Sequence, residues 1–306
     1  MITQKIEGLI AAPFTPFNEN GTLNLAQIPN YYQSLKNNNV KGGFICGSTG
    51  EGVSLTFQEK VEVLKAWAKL TVKDPDFILM VLLGGTNIRE CVELAKIAQQ
   101  EGADAVSFTS PYYFKPANVE QLAKCCAEVA AAAPHTAFYY YHIPVLTGGN
   151  FAMLDLLKAV DGIIPNFAGI KYTHEDFMDF LSCMNFAGRK YDMLWGRDEN
   201  MLSSLVLGAK GAVGSTYNYA APLYHELIEA FNEGDFERAN LLQQKSIDMI
   251  TLLGKYGGIS VGKSYMKQIG IDCGVFRLPV KNMSIEQYQT FEKDVAQLNF
   301  HTFCSK

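Results

Sequence analysis

Eight times along this chain a short apolar run is followed by a turn of Gly, Ser, Thr or Pro and then by ten to fifteen residues of amphipathic pattern. Few folds accept such an alternation, because short apolar runs joined by helices make parallel strands with crossover connections. The runs cover residues 8–12, 42–46, 77–83, 105–108, 137–141, 167–171, 191–195 and 212–215. Helix starts are readable between them: Thr56-Phe-Gln-Glu59 and Asn87-Ile-Arg-Glu90 fit capping boxes, Pro222 fits a first helical position and Gly234 fits a helix stop. Eight βα units ending near residue 233 suit a (β/α)8 TIM barrel, whose usual extent is roughly 250 residues. A doubly wound sheet is the alternative, but no Gly-x-Gly-x-x-Gly follows the first strand. After Gly234 the strands stop, and residues 235–253, 261–269 and 284–298 read as helices. The expected organisation is a catalytic barrel over residues 1–233 and a C-terminal helical appendage over 234–306, packed outside the barrel or at a subunit interface.

Composition narrows the function classes. With 48% hydrophobic and 19% charged residues the chain is too apolar to stay disordered. A formal charge of −5 provides no basic face for nucleic acid, and no basic run suggests an anionic membrane surface. The apolar stretch 77–83 is far shorter than a spanning helix, and the segment Met1 to Gly8 lacks the length and flanks of a signal peptide, so a soluble, cytoplasmic protein is expected. Seven cysteines without a Cys-x-x-Cys pair read as reduced core residues, and five histidines without a His-x-x-x-His indicate no metal.

In such a barrel the loops after the strands build the site. Lys171 ends the sixth run, whose alternation places Phe167, Gly169 and Lys171 on one face and leaves space beneath the amine at Gly169. A lysine in apolar surroundings loses hydration of its ammonium, so its neutral amine becomes available to attack a carbonyl and form a Schiff base. The blander alternative is a lysine snorkelling out of the strand end. Gly47-Ser-Thr-Gly50 offers backbone N–H groups and two hydroxyls suited to a small carboxylate, and Glu51 reads as a helix cap or a tie to a neighbouring loop. Tyr141 lies at the mouth end of the fifth run and suits a proton shuttle, whereas Tyr139 and Tyr140 read as core.

Gly47-Ser-Thr-Gly-Glu51, Tyr141-His-Ile-Pro144, Gly169-Ile-Lys-Tyr-Thr173, Gly196-Arg-Asp-Glu199 and Gly214-Ser-Thr-Tyr-Asn218, in this order, resemble the N-acetylneuraminate lyase branch of the pyruvate-dependent class I aldolase family that also contains dihydrodipicolinate synthase. The resemblance runs over essentially the whole chain. It implies a (β/α)8 barrel, a homotetramer, no cofactor or metal beyond a pyruvate–lysine imine, and reversible cleavage of N-acetylneuraminate to N-acetylmannosamine and pyruvate. It implies Lys171 as the Schiff-base lysine, Tyr141 as the proton-transferring tyrosine, and Ser48 and Thr49 as binders of the pyruvate carboxylate. Thr173, Gly196, Asp198, Glu199 and Ser215 are implied to line the sugar end, and Tyr113 resembles a tyrosine contributed by a neighbouring subunit; Lys171, Tyr141, Ser48 and Tyr113 form the expected catalytic set. Adjacent Asp198 and Glu199 also suit a polyhydroxylated chain as bidentate acceptors, against the plainer reading of a solvated loop that caps a helix. His142, where the family often has Asn, and Arg197, at a variable position, are read as lying apart from the chemistry.

The synthase branch generally carries an arginine two residues beyond the proline of the fifth motif; here that position is Leu146. Aldolases of other 2-keto-3-deoxy sugar acids are a further alternative, and so, from another class, is an inert barrel that binds pyruvate or a sialic acid as a sensor.

Overall fold

The computed structural model describes residues 5–306, so of the segment Met1 to Gly8, read as lacking the features of a signal peptide, only the part from Lys5 onward is covered. Eight parallel strands close into one barrel: β1 Gly8–Ala11, β2 Gly42–Ile45, β3 Ile78–Gly84, β4 Ala105–Thr109, β5 Ala137–His142, β6 Phe167–Tyr172, β7 Asp192–Trp195 and β8 Gly211–Gly214. The seam is a full parallel ladder, with Gly8 opposite Gly211 and Ala11 opposite Gly214. Alternate side chains point to opposite faces of a strand, so the barrel has two cores. The inner one is filled by Ile10, Phe44, Met80, Leu82, Tyr139, Tyr141, Leu194 and Val213. The outer one, between strands and helices, holds Leu9, Ile45, Leu79, Val81, Tyr140, Ile170, Tyr172 and Trp195.

Helices start where the sequence provides caps. Thr56 forms the full capping box with Glu59 at the head of the helix Phe57–Thr71. Asn87 accepts from the Glu90 N–H at the head of Ile88–Gln100, but the reciprocal half of the expected box does not form. The helix Tyr217–Glu233 begins earlier than Pro222; it is broken by Ala220 at φ −141°, ψ 30°. Pro222 therefore sits just past the break, where a residue without an N–H leaves no unmet intrahelical bond. Gly234 ends this helix at φ +78°, its N–H bonded back to Ala230 and Phe231.

Beyond it lie the helices Phe236–Tyr256, Val261–Gln268 and Ile285–Gln297, the last opened by a Ser284 capping box. This tail is fastened to the barrel at several points. Ser305 N–H donates to the Tyr219 carbonyl, and Asn38 exchanges hydrogen bonds with Lys306 at 2.7 and 2.9 Å. Among the described residues all seven cysteines are free, Cys125 and Cys304 half-buried and the others buried. No helix of the described residues is long and apolar enough to cross a membrane.

Candidate active site

The backbone ladder carries past the strands into the mouth: Thr173 N–H donates to the His142 carbonyl, and Gly196 N–H to that of Tyr172, both at 2.8 Å. This places the residues after β5, β6 and β7 side by side. Lys171 lies opposite Tyr141 on one neighbouring strand and Leu194 on the other. It points inward rather than out: 4% exposed, its Nζ lies 4.0 Å from the centre of the Phe44 ring and 4.2 Å from that of Tyr141. Phe44 and Tyr141 meet edge to face, so the amine is walled by two rings. Burial lowers its pKa to about 7, with Asp198 opposing the fall. The other deeply buried lysine, Lys263, has Glu51 at 2.8 Å; among the described residues Lys171 has no such ion pair.

Two details of the β6 reading change. Phe167 does not share the face of Lys171, because the register shifts opposite Phe138/Tyr139, and its ring packs outward against Phe138 and Tyr191. Gly169 does not leave space beneath the amine either. A Cβ there would lie 1.9 Å from the Asp192 carbonyl oxygen, so the missing side chain serves the close approach of β7.

Tyr141 is 4% exposed and its phenol pKa is raised by burial, an effect opposed by the hydroxyls of Ser48 and Thr173. Its carbonyl accepts from the Thr109 hydroxyl at 2.9 Å. Tyr139 and Tyr140 are core, as expected; Tyr139 donates to Asp192 at 3.0 Å toward the barrel floor.

The Gly47–Gly50 turn lies between two non-glycine residues in the left-handed region, Cys46 at φ +56° and Glu51 at φ +55°. Thr15 Oγ1 donates to the Gly50 carbonyl at 2.6 Å and Gly52 N–H closes onto Gly47 at 3.1 Å. Ser48 is half-buried and Thr49 is buried. Glu51 does tie to a neighbouring loop, where Arg277 N–H in the tail donates to Oε2 at 2.8 Å, and also to a tail helix, where Lys263 Nζ lies 2.8 Å from Oε1.

Across the mouth, Asp198 is not a solvated loop carboxylate but 5% exposed. Its Oδ2 accepts from Thr216 N–H at 3.0 Å and from Thr216 Oγ1 at 2.6 Å. A carboxylate only accepts, so the Thr216 proton is spent there. The 2.7 Å contact between Thr216 and Tyr224 then has Tyr224 donating, and Ser246 donates to Tyr224 at 2.8 Å. Its other oxygen, Oδ1, is buried without a hydrogen-bond partner, as is Thr173 Oγ1. Asp198 Oδ1 lies against Gly214, and Thr173 Oγ1 against Gly196. Desolvation raises the Asp198 pKa, with Thr216 pulling it back.

Glu199 differs from its neighbour. It is half-buried and ion-paired to Arg197 at 2.6 Å, and Arg197 also meets Glu175 at 2.8 Å. Arg197 thus acts on an expected sugar-end residue, and the reading that set it apart is corrected. His142 is buried beside Tyr172 and His174, with burial pushing its pKa down to about 3, so it is neutral. Ser215 is half-buried after β8, its carbonyl accepting from Asn218, whose side-chain N–H also reaches Ala12. Gly196 is needed because a Cβ would lie 2.0 Å from Thr173 Oγ1.

Lys171, Tyr141, Ser48, Thr173, Gly196 and Asp198 therefore converge on one mouth. Tyr113 does not join them in its own chain: it is 77% exposed, with its ring edge-on to Phe114. Sequence reading missed Phe44, whose only signal was an aromatic after two glycines in β2. It also missed Thr216, Tyr224 and Ser246 behind Asp198, and Lys263 and Arg277 behind Glu51. No group of three or more metal-ligating side chains occurs among the described residues.

A closed barrel whose mouth holds an amine of lowered pKa beside a buried phenol offers a nucleophile suited to a carbonyl, and the relatives that follow place the chain among enzymes of the lyase class. The family model described as the dihydrodipicolinate synthetase family matches residues 5–298, and the chain belongs to that family. The N-acetylneuraminate lyase of Rattus norvegicus is 39% identical over 304 residues, covering 98% of this chain and 95% of its own. Among solved structures, the N-acetylneuraminate lyase of Proteus mirabilis is 38% identical with a TM-score of 0.93, covering 97% of this chain and 100% of its own. The sialic acid aldolase of Aliivibrio salmonicida is 36% identical with a TM-score of 0.94, covering 97% and 98%.

Proposed function

We propose that this chain reversibly cleaves N-acetylneuraminate to N-acetylmannosamine and pyruvate through an imine on Lys171. The observation that carries the reading is the Lys171 amine: buried, without an ion pair among the described residues, flanked by Phe44 and Tyr141, with its pKa lowered to about 7. The relatives' names supply the substrate.

In the cleavage direction the neutral amine adds to the C2 ketone of the open-chain sugar acid, and Tyr141 gives its phenol proton to the departing hydroxyl, so that water leaves and a protonated imine forms. The Tyr141 phenolate left by that step then takes the proton of the C4 hydroxyl. The C3–C4 bonding electrons move into the imine as an enamine, and the aldehyde leaves. Proton return to C3 and hydrolysis release pyruvate and restore Lys171. Ser48 and Thr49 with the turn's N–H groups hold the pyruvate carboxylate. The unspent Asp198 Oδ1 and Thr173 Oγ1, with Gly196, Glu199 and Ser215, receive the hydroxylated chain. All of the chemistry is assigned to protein side chains, without a metal. Tyr113, exposed here, completes a neighbouring subunit's site in a cytoplasmic homotetramer.

Product analysis with N-acetylneuraminate as sole substrate tests the reading: equal amounts of pyruvate and N-acetylmannosamine are expected, and pyruvate with borohydride is expected to add one reduced pyruvyl group at Lys171. An active enzyme that is never labelled there would overturn it. The synthase alternative is disfavoured by Leu146, 63% exposed and apolar where an arginine would be needed.

A further inference from the structure

The Glu51–Lys263 pair joins two parts of the chain that the reaction scheme leaves unconnected. Glu51 directly follows the Gly47–Gly50 turn, and both side chains of the pair are at most 2% exposed. Lys263, on the helix Val261–Gln268, also donates to the Val275 carbonyl at 3.1 Å and lies over the Phe17 and Phe276 rings. Arg277, whose N–H holds the second Glu51 oxygen, is itself fixed by a two-point ion pair with Glu59 and by bonds to the Ser54 and Gly21 carbonyls. Glu51 thus has both oxygens held by the tail while its backbone stands at φ +55°, a conformation that costs a non-glycine residue energy and persists only where surroundings impose it. Nothing in substrate chemistry needs a carboxylate here, because the pyruvate carboxylate is itself an anion. We propose that Glu51 is a positioning residue, clamped by Lys263 and Arg277, which holds the Ser48–Thr49 turn in the shape that takes the 2-oxo acid carboxylate. The C-terminal segment thereby sets affinity for the keto acid and not for the sugar. This rests on the assignment of that turn to the pyruvate carboxylate.

The test uses the full chain and the variants Lys263→Met, Glu51→Gln and the double substitution Glu51→Gln/Lys263→Met. Pyruvate is titrated in borohydride trapping at Lys171 and in condensation with N-acetylmannosamine. Removing one partner of a buried pair leaves the other charge uncompensated, so Lys263→Met is expected to raise half-saturating pyruvate about tenfold or more. The kcat at saturating pyruvate and the half-saturating N-acetylmannosamine should change by less than about threefold. The double substitution leaves no buried charge and keeps an acceptor for the Arg277 N–H, so it should recover most of the pyruvate affinity. If Lys263→Met does not fold by circular dichroism, Glu51→Gln and the double variant carry the comparison. A folded single variant, Lys263→Met or Glu51→Gln, that traps pyruvate at wild-type concentrations overturns the proposal, as does a parallel loss of kcat and of both affinities, which marks a merely structural pair. A wild-type enzyme unlabelled at Lys171 would instead remove the site assignment beneath it.

Discussion

Gly214 and Asp198 are fitted to one another: a Cβ on Gly214 would lie 1.9 Å from Asp198 Oδ1, so the carboxylate occupies the space a side chain would fill. Gly214→Ala is expected to displace Asp198 from Thr216 and impair sugar turnover at least tenfold, on the scale of a lost charge-assisted hydrogen bond of about 1.5 kcal/mol or more. Pyruvate trapping at Lys171 should continue at a comparable rate. Parallel loss of both reactions would show that Asp198 serves the amine as well as the sugar.

Lys171→Met should abolish turnover and yet stabilise the fold. Unfolded, the lysine binds its proton up to a pH near its ordinary value of about 10.4. Folded, it releases that proton at about pH 7. Below pH 7 the folded protein carries the full cost of a buried ammonium. Between pH 7 and about 10.4 the unfolded state holds more protons, so native stability rises with pH. The Tm gain of the methionine variant is therefore greatest at or below pH 7 and shrinks toward pH 10. Thermal unfolding across that range checks it, and a gain that grows with pH would contradict the burial argument.

The same pKa predicts the kinetic profile. The attacking species is the neutral amine, so the rate of pyruvate trapping should climb with pH to a half-point near 7 and then level. At pH 5 only about one amine in a hundred is neutral, and the initial trapping rate should fall in proportion. A profile flat down to pH 5 would mean that protonation of Lys171 does not limit addition.

Tyr141→Phe keeps the ring that walls Lys171 and removes only the phenol oxygen. The kcat should drop roughly 10²- to 10⁴-fold, the range of a lost acid–base group, with little change in Tm. Near wild-type turnover would assign the proton transfer elsewhere, with the Ser48 or Thr173 hydroxyl next to be tested.

Partner choice follows from charge. With Leu146 exposed on the short helix Pro144–Thr147, a carboxylated aldehyde such as aspartate semialdehyde finds no cation there. Pyruvate should condense with N-acetylmannosamine and negligibly with the semialdehyde at equal concentration, a competition read by product analysis. Preference for the semialdehyde would restore the synthase reading.

The barrel was legible because strand and helix periods are local, and all eight apolar runs became the eight strands. Lys171 and Tyr141 were legible because the ends of adjacent strands must meet. What escaped was set by packing across distance. The register shift that turns Phe167 outward is invisible in an alternating pattern, and Arg197 was judged by its variability rather than by the carboxylates within its reach. Thr216 and Lys263 were hidden for the same reason: each acts on a residue 18 or more positions away in sequence.

The tail has a bearing on the order in which this enzyme becomes an enzyme. Emerging from a ribosome, the chain has all eight strands once Gly214 is out, and a barrel could close then. The Asp198 carbonyl still awaits Gln243, the Tyr224 hydroxyl behind Thr216 awaits Ser246, and Glu51 awaits Lys263 and Arg277. The supports behind Asp198 and Glu51 are thus completed by residues translated only after all eight strands.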